Sequence, residues 1–130
     1  MPSTTLTTPG EFDAALAHER ILLHIDVNWA IHAINSRPVV AKSIASIETT
    51  WPGKVQFYNV DLSDQSGPLW DYMRTWFKRQ HASGVSLSAG CGAVVWIANG
   101  QFQIEVPNAM SLEAEKLTTL TQSVFKLSSA

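Results

Sequence analysis

Apolar residues along the chain switch between a helical and a strand period, and the switches mark its elements. Phe12, Ala15 and Leu16 form an apolar stripe directly after Thr8-Pro9-Gly10-Glu11. That stretch offers a threonine N-cap, a proline at the first helical position and a glutamate placed to close a capping box, so a helix is expected, ending near His18 to Arg20. Ile21 to Val27 carries Ile21, Leu23, Ile25 and Val27 on one face and a mixed set on the other, the pattern of a buried strand. Ile34, Val40, Ile44 and Ile47 recur at helical spacing and predict a long helix from about Ala30 to Thr49, with Pro38 inside it. Trp51-Pro52-Gly53 marks a turn before a strand over Val55 to Val60.

Gly67 and Pro68 open a further helix in which Leu69, Tyr72, Met73, Trp76 and Phe77 repeat at three- and four-residue steps, the strongest amphipathic signal in the chain. Lys78, Arg79 and His81 fall in its last turn, where cations suit the carbonyl end, and Gly84 is placed to stop it. A Gly/Ser-rich loop, Ser83 to Gly92, follows. Ala93 to Ala98 and Gln101 to Val106 read as strands joined by Asn99-Gly100, the strongest short hairpin signal. Ser111 is expected to cap a final helix that turns Leu112, Leu117, Leu120, Val124 and Leu127 inward. The Thr-rich opening, Met1 to Thr7, leaves open a short edge strand. The order α-β-α-β-α-β-β-α implies a parallel, right-handed crossover unit followed by an antiparallel hairpin. The expected fold is α/β: a mixed central sheet of four or five strands flanked by helices on both faces.

Composition narrows this. At 130 residues the chain suits one domain over 1–130, with its core at about 9–127. An apolar fraction of 45% excludes disorder as the general state. Nine Lys and Arg against 11 Asp and Glu give a formal charge of -2, with no dense basic run, which argues against nucleic acid as a partner. The one cysteine, Cys91, rules out an intramolecular disulfide and a zinc site built mainly from thiolates. Met1 to Gly10 lacks the features of a signal peptide, and no apolar run approaches the roughly 20 residues that span a bilayer. A cytoplasmic protein without membrane association is expected.

The element order and local motifs resemble the thioredoxin-like superfamily. Thioredoxins carry a strand, then Trp-Cys-x-x-Cys at a helix start, then a proline five residues beyond the second cysteine. Here the strand leads to Trp29-Ala30-Ile31-His32-Ala33, and Pro38 lies five residues after Ala33. Lys54 to Asp61 is similar to the family's second core strand with its terminal Asp, and Ala93 to Val106 to its closing hairpin. The segment at about 66–92, with the Trp76-containing helix, is longer than in plain thioredoxins. The resemblance places Ala30 and Ala33 at the two cysteine positions, Gly92 at the cis-proline-equivalent position, and His24 at the position of the family's buried carboxylate. Dithiol exchange needs a thiolate attacker and a resolving thiol, and alanine supplies neither.

The resemblance therefore implies a redox-inactive, thioredoxin-like domain rather than an enzyme. It would bind a protein or peptide, or serve as an assembly module, through the former active-site face of Trp29, Ala30, Ile31, His32 and Ala33. The alternative is a monothiol enzyme or thiol redox sensor in which Cys91 is the nucleophile and His32 its base. His24 and Asp26 share a strand face two residues apart, where they are expected to hydrogen-bond or bracket a water beneath a helix end. No cofactor is implied. His24, His32 and Cys91 lack the close spacing of a metal site, and none is expected.

Overall fold

The computed structural model describes residues 4–64, 66–82, 87 and 92–128. The chain opens with β1 (Thr4–Leu6), so the Thr-rich start does supply an edge strand. Next comes α1 (Pro9–Ala15), with the expected capping box. Thr8 Oγ1 accepts from the Glu11 amide at 3.2 Å, and the Glu11 carboxylate accepts from the Thr8 amide at 3.1 Å. The helix is shorter than its pattern implied. Ala17 and His18 close it with tight turns onto Ala14 and Ala15, because the chain must already be extended at Arg20 to pair with Ala98.

Then follow β2 (Arg20–Asp26), α2 (Ile31–Thr50), β3 (Gln56–Asp61) and α3 (Pro68–Arg79). His81 lies just outside α3 in a left-handed conformation, φ 59°, so only Lys78 and Arg79 occupy its last turn. Gly84, and all of the Ser83 to Gly92 loop except Leu87 and Gly92, lie outside the described residues. The hairpin β4 (Ala93–Ala98) and β5 (Gln101–Val106) falls where expected, and Asn99 and Gly100 both have the positive φ that a two-residue turn requires. A 3-10 turn at Ala109–Ser111 precedes the last helix, α4 (Ala114–Phe125). Ser111 is therefore not the cap of α4. Its hydroxyl donates to the Asn108 carbonyl at 2.8 Å and closes the 3-10 turn, while Glu113 is the N-cap residue.

The five strands lie in the order β1-β3-β2-β4-β5. β3 runs parallel to both β1 and β2, whereas β4 runs antiparallel to β2 and to β5. Alternation along β2 and β4 sorts the core into two layers. Ile21, Leu23, Ile25, Val95 and Ile97 face Phe12, Met73, Trp76 and Phe77 of α1 and α3. Leu22, Phe57, Val94 and Trp96 face Val40, Ile47, Leu117 and Phe125 of α2 and α4. Trp96 is fully buried, and its indole N–H donates to Thr121 Oγ1 at 2.8 Å. At the sheet's far edge the outward amide of Phe102 donates to the Gln80 side chain at 3.1 Å.

α2 departs from its sequence pattern in one instructive way. Its buried side is Ala33, Ser36, Val40, Ser43 and Ile47, and Ile34 is turned out. Small residues let the helix approach the sheet closely. The buried hydroxyls find partners nearby, Ser36 in the Ala33 carbonyl at 2.5 Å and Ser43 in Thr118 at 3.4 Å. Among the described residues, no helix is long and apolar enough to cross a membrane.

Candidate functional site

The C-terminal end of β2 meets the N-terminal end of α2 through a short connection, Val27 to Ala30. Two bonds hold it against the loop after β3: the Asn28 amide donates to Ser63 Oγ at 2.8 Å, and the Trp29 indole N–H donates to the Ser63 carbonyl at 3.0 Å. Ser63 is itself fixed, since Asp61 Oδ1 accepts from its amide at 3.0 Å and its hydroxyl at 2.5 Å. The result fixes Trp29 by the edge of its indole ring. Trp29 is 55% exposed, Ile31 62% and Ile34 37%; these are the exposed large apolar side chains among the described residues, and they fall within six consecutive positions.

Ala30 is the N-cap residue of α2 and offers no side-chain cap, while His32 on the first turn is exposed. Ala33 points the other way and is fully buried. Against it lies Gly92, with φ +73°. A Cβ built on Gly92 would come within 2.2 Å of Ser36 Oγ and 3.0 Å of the Ala33 Cα, so the backbone there passes directly over the first turns of α2. Its carbonyl accepts from the Ala109 amide at 3.3 Å, which links the same point to the 3-10 turn. Cys91, at the centre of the monothiol alternative, lies outside the described residues.

Under this surface is a polar cluster. His24 and Asp26 project from β2 on the α2 side, as their spacing implied, and each bonds to residues other than its neighbour. Both ring nitrogens of His24 are engaged elsewhere: Nδ1 faces Asn59 Oδ1 at 2.7 Å and Nε2 faces Ser36 Oγ at 2.8 Å. Asp26 accepts from Arg37 Nε at 2.9 Å, and its other oxygen is buried without a partner. Burial holds the His24 imidazole below its ordinary range; the Asn59 hydrogen bond and the Asp26 charge oppose that shift, and the Arg37 charge adds to it. Sequence reasoning missed Ser36, Arg37 and Asn59. Asn59 becomes visible only through register, because it lies directly across from His24 on the neighbouring strand. Ser36 and Arg37 sit one helical turn beyond the motif, and this was the only available signal. Among the described residues, no group of three or more His, Cys, Asp or Glu is placed to hold a metal ion.

No family model matches the chain, and no curated protein matches it in sequence. Solved structures do match over nearly its whole length. Thioredoxin O2 from Arabidopsis thaliana, in its oxidized state, superposes with a TM-score of 0.61 at 16% identity, covering 94% of this chain and 93% of that one. Plasmodium falciparum thioredoxin gives 0.62 at 14% identity, covering 92% and 97%. Zinc-bound human ERp44 gives 0.65 at 15% identity, where 94% of this chain corresponds to 31% of that longer protein. At such identities the likeness is one of backbone architecture. The chain thus has the thioredoxin-like fold, built on a five-stranded mixed sheet, and with a single cysteine in its sequence it carries that fold without a Cys-x-x-Cys pair.

Proposed function

We propose that this is a redox-inactive thioredoxin-like domain that docks an apolar segment of another protein on the surface formed by Trp29, Ile31 and Ile34. One observation carries the reading: the exposed large apolar side chains among the described residues are concentrated at the end of α2 rather than scattered. Isolated surface hydrophobes are ordinary, but a local group containing a tryptophan held by its indole N–H offers an anchor with little conformational entropy to lose. Ala30 and Ala33 occupy the positions at which the family's thiols would stand, and Gly92 the position of its cis-proline. The close passage of Gly92 over Ala33 supports that correspondence.

Two measurements test the two halves of this reading. In an insulin-reduction assay with dithiothreitol, the protein is expected to be no faster than an unrelated protein at equal concentration. Turnover that survives Cys91→Ser would refute redox inactivity. For docking, a displayed random-peptide library is selected on the wild-type protein, and the recovered peptides are rebound to Trp29→Ala with Ile31→Ser. Recovered peptides should be rich in apolar residues and lose at least about thirtyfold in affinity on the double variant, as for removal of a binding hot spot. Peptides that bind both proteins equally, or a selection that yields none, would sink the docking surface.

A further inference from the structure

With the Asn59 amide oxygen turned to His24, the polar cluster of His24, Ser36 and Asn59 is short of protons. Its backbone of contacts runs Asn59 Oδ1 to His24 Nδ1 at 2.7 Å, His24 Nε2 to Ser36 Oγ at 2.8 Å, and Ser36 Oγ to the Ala33 carbonyl at 2.5 Å. Each of these three contacts needs a proton between its heavy atoms. Asn59 Oδ1 and the Ala33 carbonyl can only accept. A neutral imidazole contributes one proton and the Ser36 hydroxyl one more, so one contact is left with none. If His24 carries its proton on Nδ1, the Ser36 hydroxyl must choose between Nε2 and the Ala33 carbonyl. An imidazolium contributes two protons and, with the hydroxyl, completes all three.

The surroundings bear on such a proton from every packed side. On β2, Asp26 lies two residues away on the same face, with one buried oxygen that has no partner. On β3, Asn59 is directly opposite, and Asp61 is in register with Asp26. On β4 the neighbour is Val94, which is apolar. On α2, Ser36 accepts the bond and Arg37, paired to Asp26, opposes a second positive charge. Ser36 is wholly buried and Gly92 covers it, so its hydroxyl is no nucleophile; its reach is confined to this chain of bonds.

We propose that the cluster is a proton-binding site in which one proton, taken up by His24, completes the chain from Asn59 through Ser36 to the Ala33 carbonyl. The proton comes from solvent hydronium and leaves as His24 returns to neutrality; on uptake, Nε2–H donates to Ser36 Oγ and the Ser36 hydroxyl turns wholly to Ala33. That fastens the first turns of α2 to the sheet, and those turns carry Ile31 and Ile34. Proton uptake thereby stiffens the surface on which docking is proposed. Only this last consequence rests on the docking reading.

The test is an imidazole nitrogen NMR titration of the intact protein from pH 8 into the acid range, with His24 assigned by comparison with His24→Gln. Protection factors for the amides of residues 34–37 are measured in parallel. In the folded state His24 is expected to pass from Nδ1-protonated to doubly protonated. For local openings that leave His24 buried in place, protection at 34–37 should rise about two- to tenfold over the same interval, the effect of one net hydrogen bond, even as global stability falls. In Ser36→Ala the histidine should still titrate while protection no longer follows it. Three results would overturn the proposal: a His24 that stays neutral until the protein unfolds, a neutral form with its proton on Nε2, in which Asn59 presents its amide hydrogen and two protons suffice, or protection that ignores the titration. The wild-type protein alone decides among these if Ser36→Ala does not fold. No partner enters the measurement, so its failure leaves the docking surface standing, and a failed peptide selection leaves the proton site standing.

Discussion

Gly92→Ala is expected to lower stability by about 3 kcal/mol, and Gly92→Pro by at least as much, although proline is what the family resemblance would put there. Two costs coincide at this residue. Its φ of +73° is in the left-handed region, which an L side chain enters at about 1–2 kcal/mol. The added Cβ would also stand 2.2 Å from Ser36 Oγ, 2.7 Å from Ser36 Cβ and 3.0 Å from the Ala33 Cα. Ser36 cannot swing aside without breaking its bonds to His24 and Ala33, and the Ala33 Cα belongs to a packed helix. Proline, fixed near φ -65°, cannot adopt the observed conformation at all, so the chain entering β4 would have to be rebuilt. Urea unfolding of the variants beside Gly10→Ala makes the comparison clean. Gly10 has no atom within 4 Å of its built Cβ and a φ outside the positive range, so alanine there should be neutral or slightly stabilising. A Gly92→Ala midpoint indistinguishable from wild type would show that this backbone does not pass over α2 as described.

Stability should fall as pH drops through the ordinary imidazole range, and His24→Leu should remove that component. The sign follows from linkage. In the unfolded chain His24 titrates near its ordinary 6.5, whereas in the fold burial holds it lower. Between the two values the unfolded state binds more protons, so stability rises with pH across that window. The contribution is complete above about 6.5, falls as pH decreases through it, and levels off below the folded-state value. Glu11 and Asp64 also sit below their ordinary values, through hydrogen bonds from Thr7 and from Ser66, but their windows begin lower, from 4.5 and 3.8. At pH 7.5 His24→Leu is expected to cost about 2–4 kcal/mol, because Asn59 and Ser36 lose their shared partner inside the fold. The gap between wild type and variant should then narrow at pH 5.5. Parallel urea midpoints at the two pH values would exclude His24 as the source of the dependence.

The elements that were legible in the sequence are those whose determinants are local. The capping box of α1, the Asn99-Gly100 hairpin and the amphipathic run of α3 each depend on residues a few positions apart, and each is found at its predicted place. The exposure of Trp29 was implied by the family resemblance rather than by its sequence neighbours. Less legible was which face of α2 is buried, because Ile34 outranks Ser36 and Ser43 in hydrophobicity while close approach to the sheet and to Gly92 favours the small residues. The partners of His24 and Asp26 were hidden further still. They depend on the register between β2 and β3 and on how α2 settles over both strands. No spacing along one segment encodes either.

The Gln80 side chain bonded to the Phe102 amide has a consequence for how this molecule meets others. A free sheet edge is a template: it recruits any extended segment able to complete its row of donors and acceptors, whether a partner or another unfolded copy. Here β1 spans three of the described residues at one end of the sheet, and at the other an outward donor of β5 is already occupied by a side chain from outside the sheet. A visiting strand would have to displace Gln80 to pair at Phe102. Strand addition at that position is thereby discouraged, which works against edge-to-edge aggregation through it.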